Sequence, residues 1–209
     1  MNSGWYYSNQ RFVNTMSTII VFDTETTGLP KTRGFGKYYQ PTDFTKYNES
    51  RIIEIGYNVY RKCDGNLVKS VSYLIKTNKD IENSHIHGIT NEMVRDKGID
   101  FKEAMRFFEA DLNSCILLVA HNLAFDIHVL LAEAYRHHSY HLANLIKSKK
   151  RFCTMKAAKT LLGLKKYPKL VQLYGDFTGK LVVQNHRAGD DTEMCAVCFF
   201  EILKRQLIV

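Results

Sequence analysis

In Thr18-Ile19-Ile20-Val21-Phe22-Asp23-Thr24-Glu25-Thr26-Thr27-Gly28 an apolar, β-branched run ends in two carboxylates spaced two residues apart. The run Thr18–Phe22 predicts a buried central strand ending at Asp23–Glu25. Strand side chains alternate, so Asp23 and Glu25 leave the same face and can share metal ions there. Two later stretches supply matching groups: Ala120-His121-Asn122-Leu123-Ala124-Phe125-Asp126 and His186-Arg187-Ala188-Gly189-Asp190-Asp191. Asp126 falls in the first turn of a predicted helix and Asp191 near the start of the last one, where the positive helix end favours an ionised carboxylate. Four carboxylates packed together repel, and some take up protons. With divalent cations bound, repulsion becomes coordination by hard oxygen ligands, the arrangement that phosphodiester hydrolysis needs.

Around these stretches the chain reads as alternating elements. After the first, Gly28, Pro30, Gly34 and Gly36 break the chain into a long loop reaching about Ser50. Arg51–Tyr60 and Val68–Lys76 read as strands joined by a hairpin at Asp64-Gly65-Asn66. Thr90 is placed to cap a helix over Asn91–Lys97, and a second helix is predicted over Phe101–Asn113. A buried strand at Cys115–Ala120 leads into a helix over Leu123–Arg136. A strand-like piece at Arg151–Cys153 precedes a helix over Thr154–Leu162. Pro168 begins a turn or two of helix to about Tyr174, and the last helix runs from Ala188 to about Arg205. Three strands in a meander followed by strand–helix alternation predict an α/β fold, a central mixed β-sheet flanked by α-helices.

The three motifs, in this order and setting, resemble the DEDDh family of 3′→5′ exonucleases, also called DnaQ-like, over about residues 18–206. The resemblance implies an RNase H-like fold and hydrolysis of DNA or RNA from the 3′ end to nucleoside 5′-monophosphates by a two-metal-ion mechanism. The work of such an enzyme is proofreading, repair or nucleic-acid processing. It implies two Mg²⁺ (or Mn²⁺) ions held by Asp23, Glu25, Asp126 and Asp191. Asp23 bridges both ions, Glu25 and Asp191 complete the one that activates water, and Asp126 binds mainly through water. His186, five residues before Asp191, takes the proton from the attacking water, a role suited to an imidazole. Asp190 is a rival ligand, but the five-residue offset favours Asp191.

Further positions match the family's terminal-nucleotide pocket. Thr26 lies where backbone approaches the terminal sugar, and Leu29 and Ile86 where apolar side chains wedge against the last bases. His87 belongs to an HGIT segment that lines the pocket. Asn122 touches sugar or phosphate, and Phe125 packs beneath. Core packing explains Leu29, Ile86 and Phe125 equally well. The sequence departs from compact members in the loop between Gly28 and Arg51. That loop interleaves Lys31, Arg33, Lys37 and Lys46 with Phe35, Tyr38, Tyr39, Phe44 and Tyr47. Such a mixture suits single-stranded nucleic acid, and packing of the rings on the sheet is the alternative. Phe152-Cys153-Thr154-Met155 stands where many members have Asp-Thr-Leu, which removes no metal ligand.

Composition agrees with this reading. The 209 residues fit one exonuclease domain over 18–209 with an appendage at 1–17. The formal net charge of +8 and the basic block Lys147–Arg151, continued by Lys156–Lys169, favour a polyanionic partner. The resemblance makes the expected partner a single-stranded or frayed 3′ end of DNA or RNA; a polymerase or a second copy of the chain is undetermined by the sequence. No apolar run is long enough for a membrane span and no secretory signal layout appears, so an intracellular, soluble protein is expected. Five cysteines suit buried thiols in a reducing compartment. Cys195 and Cys198 form a single CxxC without a second pair inside a helical pattern, so packing is favoured over zinc. The reading from another class is a non-catalytic nucleic-acid-binding module on the same fold, which would have no need of all five motif residues.

Overall fold

The computed structural model describes residues 17–182 and 186–206. The expected appendage therefore lies outside the described residues, apart from Ser17. Five strands form one sheet: β1 (Thr18–Thr26), β2 (Ile52–Arg61), β3 (Leu67–Leu74), β4 (Cys115–Ala120) and β5 (Lys150–Cys153), in the order β3-β2-β1-β4-β5. β2 pairs antiparallel with β1 and β3, and β4 is parallel to β1 and β5. The helices are α1 (Ser84–His87), α2 (Asn91–Lys97), α3 (Phe101–Leu112), α4 (Leu123–Arg136), α5 (Tyr140–Ser148), α6 (Thr154–Leu161), α7 (Leu170–Thr178) and α8 (Ala188–Gln206).

Alternation along β1 divides the core. Ile20 and Phe22 pack with α3, α4 and α5 through Phe108, Leu130 and Ile146, while Ile19 and Val21 pack with α6, α7 and α8 through Ala158, Leu173 and Phe199. Asp23 and Glu25 continue the second set and so face the layer that holds α8. β1 ends one residue past the predicted Asp23–Glu25 end, its backbone pairing with β2 running through Asp23↔Gly56 and Glu25↔Glu54 to a bulge at Glu25/Thr26. The side chains there are polar, but the ladder bonds are not theirs.

Thr90 caps α2, its Oγ1 accepting from the Met93 amide at 3.2 Å. The 64–66 hairpin turns at Gly65, which has φ +69°. Helix α5 is absent from the sequence reading. Leu142, Ala143 and Ile146 give it a buried stripe of helical spacing, but Ser139 makes no side-chain cap that would mark its start. The last helices match their predicted spans closely, with α7 extending four residues further, to Thr178.

Candidate active site

Three elements deliver the motif carboxylates to one place. β1 carries Asp23 and Glu25. Asp126 enters from the opposite layer, at the first turn of α4, and is 1% exposed. Its Oδ1 accepts from the Thr24 hydroxyl at 2.9 Å and the Thr24 amide at 3.2 Å, bonds that pin the carboxylate to the end of β1. α8 brings Asp191, which is buried, whereas Asp190 beside it points to solvent. Adjacent residues are about 100° apart around a helix axis, so the two carboxylates face different directions. Ligand atoms of Glu25, His186 and Asp191 all lie within 4.8 Å of one another. His186 Nδ1 stands 4.0 Å from Asp191 Oδ2, and the imidazole side chain is 44% exposed, open to an incoming water. The backbone at His186 has φ +46°, a left-handed conformation uncommon outside glycine and one often found at functional sites.

The electrostatics are those of a site built for cations. Burial, followed by the charges of Asp126, Glu25, Asp191 and Glu54, pushes the Asp23 carboxyl far above the usual carboxylate range. Burial and Asp191 push Glu25 up to about 8. Burial raises Asp126 to about 7 against the two bonds from Thr24. Without a counter-charge the ionised forms of these groups are disfavoured; divalent cations would favour them. The donor set is all hard oxygen with one imidazole beside it, which fits Mg²⁺ or Mn²⁺.

A cavity of about 650 Å³ opens over the cluster, lined by Asp23, Glu25, Phe125, Asp126, His186 and Asp191 and, on its far wall, by Phe35, His121 and Tyr167. Of the predicted pocket residues, Phe125 lines this cavity. Asn122 takes a left-handed conformation (φ +64°) at the start of α4 and does not line the cavity. Leu29 and Ile86 are 78% and 49% exposed, so core packing does not account for them. Thr26 is buried, its hydroxyl donating to the Gly28 carbonyl at 2.8 Å, which shapes the turn out of β1. His87 is buried too; its Nδ1 accepts from the Ile89 amide at 3.1 Å, and its ring does not line the cavity. Cys195 and Cys198 pack into the core between the sheet and α8.

Several residues escaped the sequence reading. Glu54 of β2 is 1% exposed and receives two bonds from Arg187 (2.6 and 3.1 Å), the Ala188 amide (2.9 Å) and the Ser72 hydroxyl (2.9 Å). Burial alone would raise its pKa, yet these bonds hold it below the usual range. Glu54 thus clamps the first residues of α8, which hold His186 and Asp191 in place. Gly56, two residues along the same face, lets the helix start lie directly on the strand: a Cβ there would sit 2.5 Å from the Ala188 carbonyl carbon. The signals were present, a lone carboxylate and a glycine inside a β-branched strand, but their partners lie far away in sequence. His121 also lines the cavity. Its Nε2 donates to the Pro168 carbonyl at 3.1 Å and its Nδ1 accepts from the Thr154 hydroxyl at 2.9 Å, and burial pushes it down to about 4, so the ring is neutral and structural.

The RNase T family model, described as an exonuclease, matches residues 20–199. The DNA polymerase III subunit epsilon of Buchnera aphidicola subsp. Schizaphis graminum (strain Sg) is 38% identical over 120 residues, which cover 55% of this chain and 44% of that protein. The chain therefore matches less than half the length of that relative. Exonuclease X in complex with 5′ overhanging duplex DNA superposes with a TM-score of 0.58 at 24% identity, covering 89% of this chain and 91% of that one. E. coli Exonuclease I in complex with a dT13 oligonucleotide gives 0.67 at 18% identity, covering 92% of this chain and 42% of that one. These structural likenesses establish the RNase H-like fold. A family match over most of the chain, on a site with this acidic cluster, places the protein in the RNase T exonuclease family, the DEDDh or DnaQ-like exonucleases.

Proposed function

We propose that the protein is a metal-dependent 3′→5′ exonuclease that releases nucleoside 5′-monophosphates from DNA or RNA. The observation that carries this reading is the convergence of Asp23, Glu25, Asp126 and Asp191 on one cavity wall beside a partly exposed His186. In this assignment the four carboxylates hold two divalent cations. When bound, such ions supply Lewis-acid stabilisation of the attacking and leaving oxygens. His186, near Asp191 and open to the cavity, accepts the proton from the attacking water. Its left-handed backbone and the Glu54–Arg187 clamp fix where the imidazole stands. Thr24 orients Asp126, and Phe125 offers an apolar surface to the terminal nucleotide, with Leu29 and Ile86 exposed for the adjacent bases. Thr26 and His87 support the reading as shapers of the loops around the pocket.

The test is a time course on 5′-labelled single-stranded DNA and its RNA counterpart, with Mg²⁺, with Mn²⁺, with EDTA, and with Asp23→Asn or His186→Ala protein. A ladder shortening from the 3′ end, lost in EDTA and in both folded variants, is expected. Binding without cleavage under every metal condition would replace the reading with that of a binding module.

A further inference from the structure

The long connection between β1 and β2 ends in a small hairpin that holds one ring out to solvent. Thr32 bridges Tyr38, the Arg33 amide donates to the Lys37 carbonyl at 2.9 Å, and the Lys37 amide to the Gly34 carbonyl at 3.0 Å. Phe35 is the apex residue, flanked by Gly34 and Gly36, both at positive φ. The hairpin does not need this ring for its own stability. Its base is tied by the Lys31 amide to the Lys46 carbonyl at 2.8 Å, and Tyr38 stacks on His128 of α4 with centroids 4.7 Å apart. The other rings of the loop have partners within the fold: Tyr47 is fully buried, Tyr39 is covered by Arg33 and Lys46, and Phe44, 37% exposed, has Arg136 over its ring. Phe35 alone stays 68% exposed while reaching across the catalytic cavity to stack on Tyr167, at 5.2 Å and an interplanar angle of 23°.

Tyr167 comes from the opposite side of the cleft, just before α7. Its position is fixed through the next residue, Pro168, whose carbonyl is held by His121. The Lys159 ammonium lies 4.5 Å from the Tyr167 ring centroid. The two segments that meet here are cationic without relief: residues 31–41 contain Lys31, Arg33 and Lys37, residues 155–169 contain five lysines, and neither contains an acidic residue. The cavity floor between them is acidic. A ligand matching this arrangement carries regularly spaced negative charges on a backbone and flat faces on its side groups, with one charged linkage reaching the floor.

We propose that the Phe35–Tyr167 pair is a stacking platform for an unpaired base upstream of the scissile linkage, and that it makes the protein selective for single-stranded 3′ tails. Phosphates of that strand lie along the lysines around Tyr167. A base within a duplex already has neighbours on both faces and cannot join the ring pair without being unstacked, so the platform favours ends that are already unpaired. The proposal rests on the exonuclease reading for where the strand ends, but not for whether the strand binds.

Two measurements on full-length wild type, Phe35→Ala and Phe35→Trp separate the two ideas. The first is fluorescence anisotropy in EDTA, with a labelled single-stranded oligonucleotide and with its blunt duplex. Phe35→Ala should weaken single-strand binding roughly 5- to 100-fold, the range of one lost base stack. It should change duplex binding far less, and Phe35→Trp should restore single-strand affinity. The second is the ratio of kcat/KM on the single strand to that on the p-nitrophenyl ester of thymidine 5′-monophosphate, which has no upstream base; that ratio should fall by a similar factor in Phe35→Ala. Unchanged single-strand binding in Phe35→Ala, or equal loss for strand and duplex, overturns the platform. Wild-type protein that binds the strand in a Phe35-dependent way but hydrolyses neither substrate with Mg²⁺ or Mn²⁺ overturns the exonuclease reading and leaves the platform standing.

Discussion

Replacing Gly56 by alanine sets a methyl carbon 2.5 Å from the Ala188 carbonyl carbon, 2.6 Å from its oxygen and 2.7 Å from the Gly189 nitrogen. All three are backbone atoms, so no rotamer change relieves the clash, and the start of α8 must withdraw by about 1 Å to reach ordinary contact. The Glu54 bond to the Ala188 amide, now 2.9 Å, would lengthen past hydrogen-bonding range. Overpacking of this kind costs about 1–3 kcal/mol, which for a domain of this size lowers Tm by roughly 3–10 °C. The larger effect is on chemistry. Asp191 and His186 move with α8 while Asp23 and Glu25 stay on β1, and a misplacement of about 1 Å is worth about 100-fold in rate. Steady-state kinetics on a single-stranded oligonucleotide, paired with a thermal scan, should show kcat down about 100-fold in a protein that still unfolds cooperatively. Gly189→Ala is the comparison for stability: its added Cβ meets only the Ser72 Cβ at 3.8 Å, and alanine favours the helix, so Tm should hold or rise. A Gly56→Ala protein with wild-type kcat would refute the argument that contact between β2 and α8 sets the geometry of the site.

Three other outcomes follow from the same contacts. Glu54→Gln removes the charge beneath Arg187; because the Arg187 side chain is 37% exposed, the cost should be about 2 kcal/mol, below the ~3–5 kcal/mol of a fully buried pair. A fall in Tm of several degrees, partly recovered by adding Arg187→Gln, would show it; no fall would remove the clamp. Glu25 has a folded pKa of about 8 against 4.5 when unfolded, so the folded metal-free chain binds more protons between those values and loses stability as pH rises through them. Mg²⁺ should therefore raise Tm more at pH 8 than at pH 5.5 and release about one or two protons at pH 7, measured by calorimetry in buffers of different ionisation enthalpy; metal binding without proton release would contradict the buried cluster. Cys198→Ser places a hydroxyl among Phe199, Ile202 and their neighbours and should cost about 1–2 kcal/mol while kcat stays within about twofold; loss of activity in a stable protein would give the CxxC a chemical role.

The elements that fixed the site were legible because each was announced by a short-range pattern. β1 showed as a β-branched run, α4 and α8 as apolar periodicity beginning at an acidic residue, and the pairing of Asp23 with Glu25 follows from strand alternation alone. What could not be read depends on contacts across the fold. Glu54 looks like an outward-facing charge until Arg187 and Ala188 arrive from 133 and 134 residues away. His121 carries no sequence signal that tells it from the other histidines until Pro168 and Thr154 take both of its nitrogens. The 28–51 loop divides in the same way: Tyr47 is core and Phe35 is surface, although both are single aromatics among polar neighbours.

The placement of the acidic cluster has a consequence for how such a chain is made. Asp191 follows Asp23 by 168 residues (191 − 23), and the helix that carries it must seat itself on Gly56 and Glu54 before the carboxylates meet. A growing polypeptide that has not reached residue 191 holds Asp23, Glu25 and Asp126 but lacks the fourth carboxylate of the cluster. Docking of α8 on β2 is thus the step that completes the acidic cluster, so the cluster forms only when contacts across the whole sheet are in place.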